Sequence, residues 1–439
     1  MLSILSNRTY RNLFAAQVVA LLGTGLATTA LGLLAYDLSG ANAAKTLGII
    51  FTIKMIAYVC VAPIAGAVAV RMDRRRLLIG LDIVRAACAL ALFFVTEVWQ
   101  VYLLILALQS ASAAFTPTFQ ATLPDVLPDE ADYTRALSLS RLAYDLENIL
   151  SPTVAALLLL VMSSGSLFLG TVAGFVGSAL LVASVVLPSA TAAKQSKVFG
   201  GMARGFHIYF ATPRLRGLLA LNLAASAAGA MVLVNTIIAV KDLLGLSDSG
   251  LAWTMFAFGA GSMTAALVLP RFLTRVSDRL AMISGAFLML FALIGLCLLI
   301  AINGLSWVYL LGAWALVGFG YSVVLTPSGR ILRRSANPED RTALFSVQFA
   351  LSHGCWLITY PLSGWVMTTF GMIPALLVLA SLTLLGIIMC LVQWPANDRS
   401  QVGHTHANLP LDHPHLNGKR THEHALVIDE LHPYWRTHF

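Results

Sequence analysis

The chain has 439 residues, of which 58% are apolar and only 11% carry a charge, and its formal net charge is +8. Soluble globular domains carry roughly 25% charged residues, so this composition excludes a soluble enzyme, a disordered protein and a secreted disulfide scaffold. It predicts a polytopic membrane protein. The excess cations lie in short loops, where they set topology, and they do not indicate binding to nucleic acid.

Twelve long apolar runs follow one another along the chain. A helix that crosses a bilayer needs about 20 mostly apolar residues, and the runs are continuous and too long for the alternating strands of a membrane barrel. The predicted fold class is therefore an all-α membrane protein with twelve transmembrane helices. The predicted spans are 12–36, 46–70, 77–96, 99–121, 136–162, 166–187, 216–240, 250–272, 280–302, 306–328, 343–369 and 372–394.

The loops between these runs differ sharply in charge. Alternate loops receive only Lys45 and Lys241 as cations, whereas the remaining loops and the N-terminus are rich in arginine. Loops rich in Lys and Arg stay in the cytoplasm. We therefore expect a multi-pass protein of the cytoplasmic (inner) membrane with both termini in the cytoplasm.

The longest internal loop divides the chain into two halves that resemble each other. The Asp73-Arg74 pair matches Asp278-Arg279 at a shift of 205 residues, and Thr116-Pro117 matches Thr326-Pro327 at a shift of 210. Duplicated six-helix units are typical of transporters in which two parallel halves enclose a central cavity. The predicted division is 1–187 for the first half, 188–215 for a cytoplasmic central loop, 216–394 for the second half and 395–439 for a tail.

The stretch GAVAVRMDRRR (66–76) follows the second predicted helix. With the 6+6 helices and the long central loop, it resembles the Gly-x-x-x-Asp-Arg-x-Gly-Arg-Arg loop of the major facilitator superfamily, over about residues 8–394. Val70 stands where the family has Asp, and Asp73 where it has Gly. The stretch LPDVLPDEADYTRALSLSRL resembles the enterobactin- and macrolide-exporter branch. The resemblance implies a proton-coupled exporter, and we expect a monomer without a tightly bound cofactor.

The same resemblance implies that the basic loop gates the cytoplasmic side, with Asp73 in the acidic role. The alternative is that its cations only fix topology. The candidate gating residues are Gly66, Arg71, Asp73, Arg74 and Arg75.

Ionisable residues at membrane depth are costly and suggest functional sites. Arg141 and Asp145 have the i,i+4 spacing that lets them pair, whereas Glu147 faces away from Asp145. A carboxylate without a partner near a cavity can take up a proton near neutral pH. The candidates for proton coupling are therefore Glu147, then Asp145, then Asp82, together with Arg141 and Lys54. The alternative is a structural ion pair with a Lys54 that reaches towards the membrane surface.

The composition changes after Trp394, because the last 45 residues are polar and contain eight of the ten histidines. His-x-His pairs recur every nine residues, and interspersed prolines oppose a helix, so we expect a disordered arm. Neutral imidazoles without cysteine suit divalent nickel, cobalt, zinc or copper. The candidate metal ligands are His404, His406, His413, His415, His422, His424, His432 and His438. The alternative is a tail with incidental or pH-sensitive histidines.

Three functional hypotheses follow. The first is efflux of nickel, with cobalt second, against inward proton flow, since histidine tails of this kind resemble those of nickel-resistance exporters. The second is a proton-coupled exporter of drugs or siderophores whose tail responds to metal. The third is a membrane protein that senses or stores metal without transport, against which the duplicated halves argue. No ATP-binding Gly-x-x-x-x-Gly-Lys motif is present, and nothing indicates an enzyme.

Overall fold

The computed structural model describes residues 2–39, 43–69, 72–159, 161, 163–188, 198–396, 398, 402–405, 421–424, 427–429, 431, 432 and 435. Within these residues the protein is a bundle of twelve long helices, which confirms the predicted fold class. The first half contains α1 (Arg8–Ser39), α2 (Ala43–Ala69), α3 (Arg74–Phe93), α4 (Val98–Val126), α5 (Glu130–Leu159) and α6 (Leu167–Ala183). The short helix α7 (Val198–Ala211) follows in the central loop.

The second half repeats this pattern with one additional short helix. It contains α8 (Pro213–Ile237), α9 (Asp248–Phe272), α10 (Asp278–Asn303), α11 (Trp307–Leu325), the short α12 (Ser328–Arg334), α13 (Arg341–Phe370) and α14 (Met372–Gln393). A π-helical turn, Ile238–Leu243, extends α8. Helix α8 begins three residues before the expected boundary at 216, because Pro213 suits the first turn of a helix, where no backbone N–H is needed.

In the part of the chain that the structure describes, eight helical segments have by themselves the length and hydropathy of a membrane span. The other four long helices are α3, α5, α6 and α13. Helix α6 is apolar but has only 17 residues, whereas α3 and α5 carry the ionisable residues singled out in the sequence. The helices that fall short in hydropathy therefore include those in which functional charges are expected.

The two halves pack their helices in the same way. In the first half α1 contacts α6, α2 contacts α4, and α3 contacts both α4 and α6. The corresponding contacts in the second half are α8 with α14, α9 with α11, and α10 with α11 and α14. Across the halves, α2 packs on α13, and α5 packs on α9 in the equivalent arrangement. The internal duplication inferred from sequence is thus a duplication of packing.

Glycine permits a close approach between the first and the last long helix of each half. In the first half, a Cβ atom at Gly174 of α6 would lie 2.9 Å from the Cα of Gly23 of α1. In the second half, Gly386 of α14 lies in the same way against the backbone of Ala220 in α8. Small residues let membrane helices approach closely, and van der Waals packing then holds them together.

All loops with clustered arginines, and the short helices α7 and α12, lie at the end of the bundle where α1 begins and α14 ends. We call this end the basic end. Helix α7 packs there on α2 and α13, where the two halves meet. The side chain of Asp73 caps α3 at this end by accepting a hydrogen bond from the backbone N–H of Arg76 at 2.8 Å.

The described parts of the tail contain regular structure that the sequence did not predict. Strands β1 (Val402–Thr405) and β2 (Thr421–His424) form an antiparallel pair. In its register His404 lies opposite His422. Beyond the pair, Ile428 is only 2% exposed and belongs to the core of the second half, and Trp435 packs against that core. In these segments the tail differs from the expected disordered arm, because apolar residues late in the chain find a surface to cover.

Candidate functional site

The first half encloses a cavity of about 380 Å³ between helices α1 to α5. Its wall combines hydroxyl groups, aromatic rings and three charged side chains. The lining residues are Gln17, Ala20, Leu21, Thr24, Gly25, Thr28, Thr29, Lys54, Tyr58, Arg85, Ser112, Phe115, Thr116, Phe119, Tyr144 and Glu147. Ligand pockets of drug-sized molecules typically measure about 300–1,000 Å³, and this cavity lies near the lower end of that range.

Glu147, the first candidate for proton coupling, lies in the wall of this cavity. Among the residues that the structure describes, none forms an ion pair with its carboxylate within 4.0 Å. Lys54 lines the same cavity and acts on Glu147 electrostatically. The Lys54 ammonium also lies 5.7 Å from the centre of the Tyr58 ring. Lys54 therefore balances the charge of the Glu147 carboxylate through the cavity, without a direct ion pair.

Asp82 and Arg85 form a buried ion pair one turn apart in α3. Asp82 is 0% exposed and does not line the cavity, whereas Arg85 does. The guanidinium carbon of Arg85 lies 4.0 Å from the centre of the Phe115 ring and 4.5 Å from that of Phe175. Cation–π contacts of this kind fix the guanidinium plane. Asp82 thus neutralises Arg85 from outside the cavity, and Arg85 itself lines the cavity.

Arg141 and Asp145 pair as the spacing predicts, and the pair also joins the two halves. Arg141 donates to the Asp145 carboxylate at 2.7 Å, and its Nε donates to the Ser262 hydroxyl of α9 at 3.2 Å. The Ser262 hydroxyl donates in turn to the other Asp145 oxygen at 2.7 Å. The guanidinium lies 4.8 Å from the centre of the Tyr321 ring in α11. This closed ring of hydrogen bonds ties α5 to the second half.

His353 of α13 packs against the first half through aromatic contacts. Its ring lies 4.1 Å from that of Phe349 and 4.8 Å from that of Tyr58, and its Nδ1 is 2.7 Å from the Phe349 carbonyl oxygen. The Tyr58 hydroxyl donates to the Gln109 amide oxygen at 3.0 Å. His353 therefore forms part of the contact between the halves and does not line the cavity.

The gating-loop residues occupy several different positions. Arg74 donates to the Asp125 carboxylate of α4, and Arg75 donates to the Ala183 carbonyl of α6. Asp73, which the sequence suggests for the acidic role in the gate, caps α3, as described above. The acid that Arg74 contacts is Asp125, whose second oxygen accepts a hydrogen bond from Arg341 of α13 in the other half. Arg71 lies outside the described residues.

A second group of ion pairs joins the halves at the basic end. Arg330 pairs with Glu130 of α5 at 2.7 Å and with Asp278 of α10 at 3.1 Å, and it donates to the Thr134 hydroxyl at 2.7 Å. Arg333 donates to the Pro128 carbonyl. Sequence reasoning missed these residues and Asp125. The available signal was the presence of acidic residues at helix ends, such as Asp125 and Glu130, in an otherwise basic surface.

Gly66 of α2 has a steric role at this interface. A Cβ atom at Gly66 would collide with the Ser346 side chain of α13, whereas one at Gly80 of α3 would meet nothing within 4 Å. Overpacking costs about 1–3 kcal/mol, so we expect Gly66→Ala to keep the basic end open and to lower the transport rate about fivefold or more. Gly80→Ala is the control. Equal transport rates in the two variants would contradict a steric role for Gly66.

The candidate metal ligands of the tail are only partly described. His404, His422 and His424 lie in the two strands, whereas His406, His413, His415 and His438 lie outside the described residues. The buried His432 is apart from the strands, and its Nδ1 lies 2.9 Å from an Asp429 carboxylate oxygen. Among the described residues, no group of three or more His, Cys, Asp or Glu side chains is arranged to hold a metal ion.

Comparisons with known proteins agree with this architecture. The family model of the Major Facilitator Superfamily matches residues 13–309 and 218–422. Macrolide efflux protein A of Streptococcus pyogenes is 28% identical over 185 residues, which are 41% of this chain and 45% of that protein. The uncharacterized MFS-type transporter YfiS of Bacillus subtilis is 23% identical over 292 residues, or 64% and 68% of the two chains. The chain thus matches about half the length of the macrolide efflux protein.

Solved structures share the fold. The human organic anion transporter MFSD10 superposes with a TM-score of 0.75 at 14% identity, over 87% of this chain and 99% of that one. A bacterial homologue of the iron transporter ferroportin, in its outward-facing state, superposes with a TM-score of 0.72 at 14% identity, over 88% and 99% of the two chains. At this identity the likeness extends to the fold alone.

Proposed function

This chain belongs to the Major Facilitator Superfamily, and we propose that it exports amphiphilic organic molecules from the cell in exchange for protons. The observation that carries this proposal is the cavity of the first half, in which Glu147 faces aromatic rings and hydroxyl groups. A carboxylate at membrane depth without a directly bonded cation is suited to take up and release a proton.

We assign the basic end to the cytoplasm, because arginine-rich loops stay on that side of the membrane. Asp125, Arg341 and Arg330 join the halves there, so the cytoplasmic side is closed in this conformation. In a cycle of alternating access, one six-helix half rocks against the other around the substrate site. These ion pairs then break when the cavity opens to the cytoplasm to load substrate.

The wall chemistry favours an organic substrate over the nickel ion of the first hypothesis. Imidazole nitrogen suits nickel, whereas the described lining residues of the cavity include no histidine or cysteine. They offer hydroxyls, an amide, one carboxylate, phenol rings and the phenyl rings of Phe115 and Phe119. The similarity to macrolide efflux proteins points in the same direction.

The histidine tail, in this proposal, responds to metal ions and does not bind the transported substrate. His404 and His422 lie directly opposite each other in the backbone register of the antiparallel pair. A metal ion bound there acts on a segment that continues to Ile428 and Trp435, which contact the second half.

The full chain in proteoliposomes tests the proposed function. With an acidic compartment on one side, a macrolide or an amphiphilic dye should move towards the acidic side, and its addition should release protons that an enclosed pH indicator records. Nickel should produce neither response. Proton movement driven by nickel and not by any organic molecule would overturn the proposal and restore metal efflux.

A further inference from the structure

The threonine hydroxyls that α1 contributes to the cavity wall present hydrogen-bond acceptors to a ligand. Thr24, Thr28 and Thr29 line the cavity, and each hydroxyl donates its proton to a carbonyl oxygen four residues earlier in the same helix, at 2.9, 3.0 and 3.3 Å. A hydroxyl has one proton and two lone pairs. Because each threonine hydroxyl donates its proton within the helix, only the lone pairs of its oxygen can bind a ligand, as hydrogen-bond acceptors.

Helix α5 adds a carboxylate on the same side. Helices α1 and α5 pack against each other, so Glu147 and the threonine hydroxyls belong to neighbouring walls of one cavity. Carboxylate and hydroxyl oxygens together are the partners that a protonated amine requires, because an ammonium group has donors and no acceptor.

Helices α2 and α3 contribute the opposite chemistry. Lys54 and Arg85 line the cavity from these helices, and both side chains are donors without an acceptor. The aromatic pair that orients the Arg85 fork includes Phe115, which also lines the cavity. This part of the wall is suited to an anionic or strongly accepting group with an aromatic body beside it.

The four charged side chains of this site sum to zero. Lys54 balances Glu147, and the buried Asp82 balances Arg85. In a medium of low dielectric constant, any net charge brought into the cavity by a ligand stays uncompensated, and that is costly. A ligand that carries one positive and one negative group adds no net charge and finds a partner for each.

We propose that the substrate class is a zwitterionic amphiphile with a protonated amine and an anionic group on an aromatic body. The amine binds at Glu147 and the threonine hydroxyls of α1, the anionic group binds at Lys54 and Arg85, and the aromatic body lies against Phe115 and Phe119. This inference rests on the proposed exchange with protons. It also explains that exchange, because a proton and the substrate amine compete for Glu147, and protonation leaves the cavity positive and expels the amine.

The test uses the full chain in proteoliposomes and three probes on one quinoline body: the amine alone, the carboxylate alone, and both groups together. We expect the zwitterion to be exchanged for protons with a kcat/KM at least tenfold higher than that of either singly charged probe. Lys54→Gln should remove this preference and favour the amine, whereas Lys54→Arg should retain it. Arg275→Gln, which removes an exposed loop cation, should behave as the unchanged protein, and thermal unfolding verifies that each variant is folded.

The outcomes separate the two proposals. If none of the probes is exchanged for protons, the proposed function fails, and this inference fails with it. If the amine or the carboxylate probe is exchanged as well as the zwitterion or better, the proposed function stands and the assignment of a zwitterionic substrate is overturned. Retention of the zwitterion preference in Lys54→Gln also overturns it.

Discussion

Replacement of Glu147 by glutamine is expected to abolish proton-driven accumulation of substrate. The carboxylate lines the cavity and has no ion-pair partner within 4.0 Å in the described part of the chain, so it is the group that can exchange a proton for substrate at this site. One pH unit supplies about 1.4 kcal/mol per proton, which sustains at most about a tenfold concentration ratio. The ratio measured in proteoliposomes should fall from this value to one.

Exchange of labelled for unlabelled carboxylate probe should persist in Glu147→Gln, because the amide retains the shape of the side chain and leaves Lys54 and Arg85, which bind the anionic group, in place. Glu97→Gln is the matched control, since Glu97 is exposed at the start of α4 and far from the cavity lining. Accumulation that still follows the pH gradient in Glu147→Gln would transfer proton coupling to Asp145 or Asp82.

Asp125→Asn is expected to shift the protein towards the conformation that is open at the basic end. The Asp125 carboxylate accepts hydrogen bonds from Arg74 in its own half and from Arg341 in the other half. Coupling free energies between protein states are typically about 1–3 kcal/mol, or five- to 150-fold in population. A cysteine introduced at the buried Ser346, in a chain without the five native cysteines, should therefore react with a thiol reagent about fivefold faster or more.

Asp132→Asn serves as the control for this experiment. It removes the same charge from the same end of the bundle, but its partner Arg135 lies one turn away in the same helix and both side chains are about 40% exposed. Exposed pairs contribute about 0–1 kcal/mol. If Asp125→Asn and Asp132→Asn react equally, Asp125 does not hold the two halves together.

The twelve helices could be predicted because a membrane imposes length and apolarity on each span separately. Neither property depends on where the other helices lie. The start of α8 at Pro213 and the strands of the tail were not predicted, because they depend on features other than the length and apolarity of a span. The start of a helix depends on its first residues and their capping. The strands depend on a pairing between residues 402–405 and 421–424, which the local sequence pattern does not predict.

The site could be predicted only in its local parts. The pairing of Arg141 with Asp145 follows from helical spacing, but Ser262, which completes the ring, is 117 residues from Asp145 in sequence. The resemblance to the family's loop predicts the acidic role in the gate for Asp73. The acid that contacts both halves is Asp125, which meets Arg74 across 51 residues and Arg341 across 216. Contacts of such separation are products of the packed bundle.

The position of Ile428 and Trp435 against the second half has a consequence for how the protein is made. Both residues cover part of a core that α8, α10 and α14 build, and Trp435 stacks 4.8 Å from the Arg214 guanidinium. Translation adds about 5–20 residues per second, so both residues are synthesised about 2–8 s after Gln393. Gln393 is the last residue of α14. Docking of Ile428 and Trp435 on the second half can therefore follow only after α14 has been synthesised, which makes the covering of this apolar surface a late step of assembly.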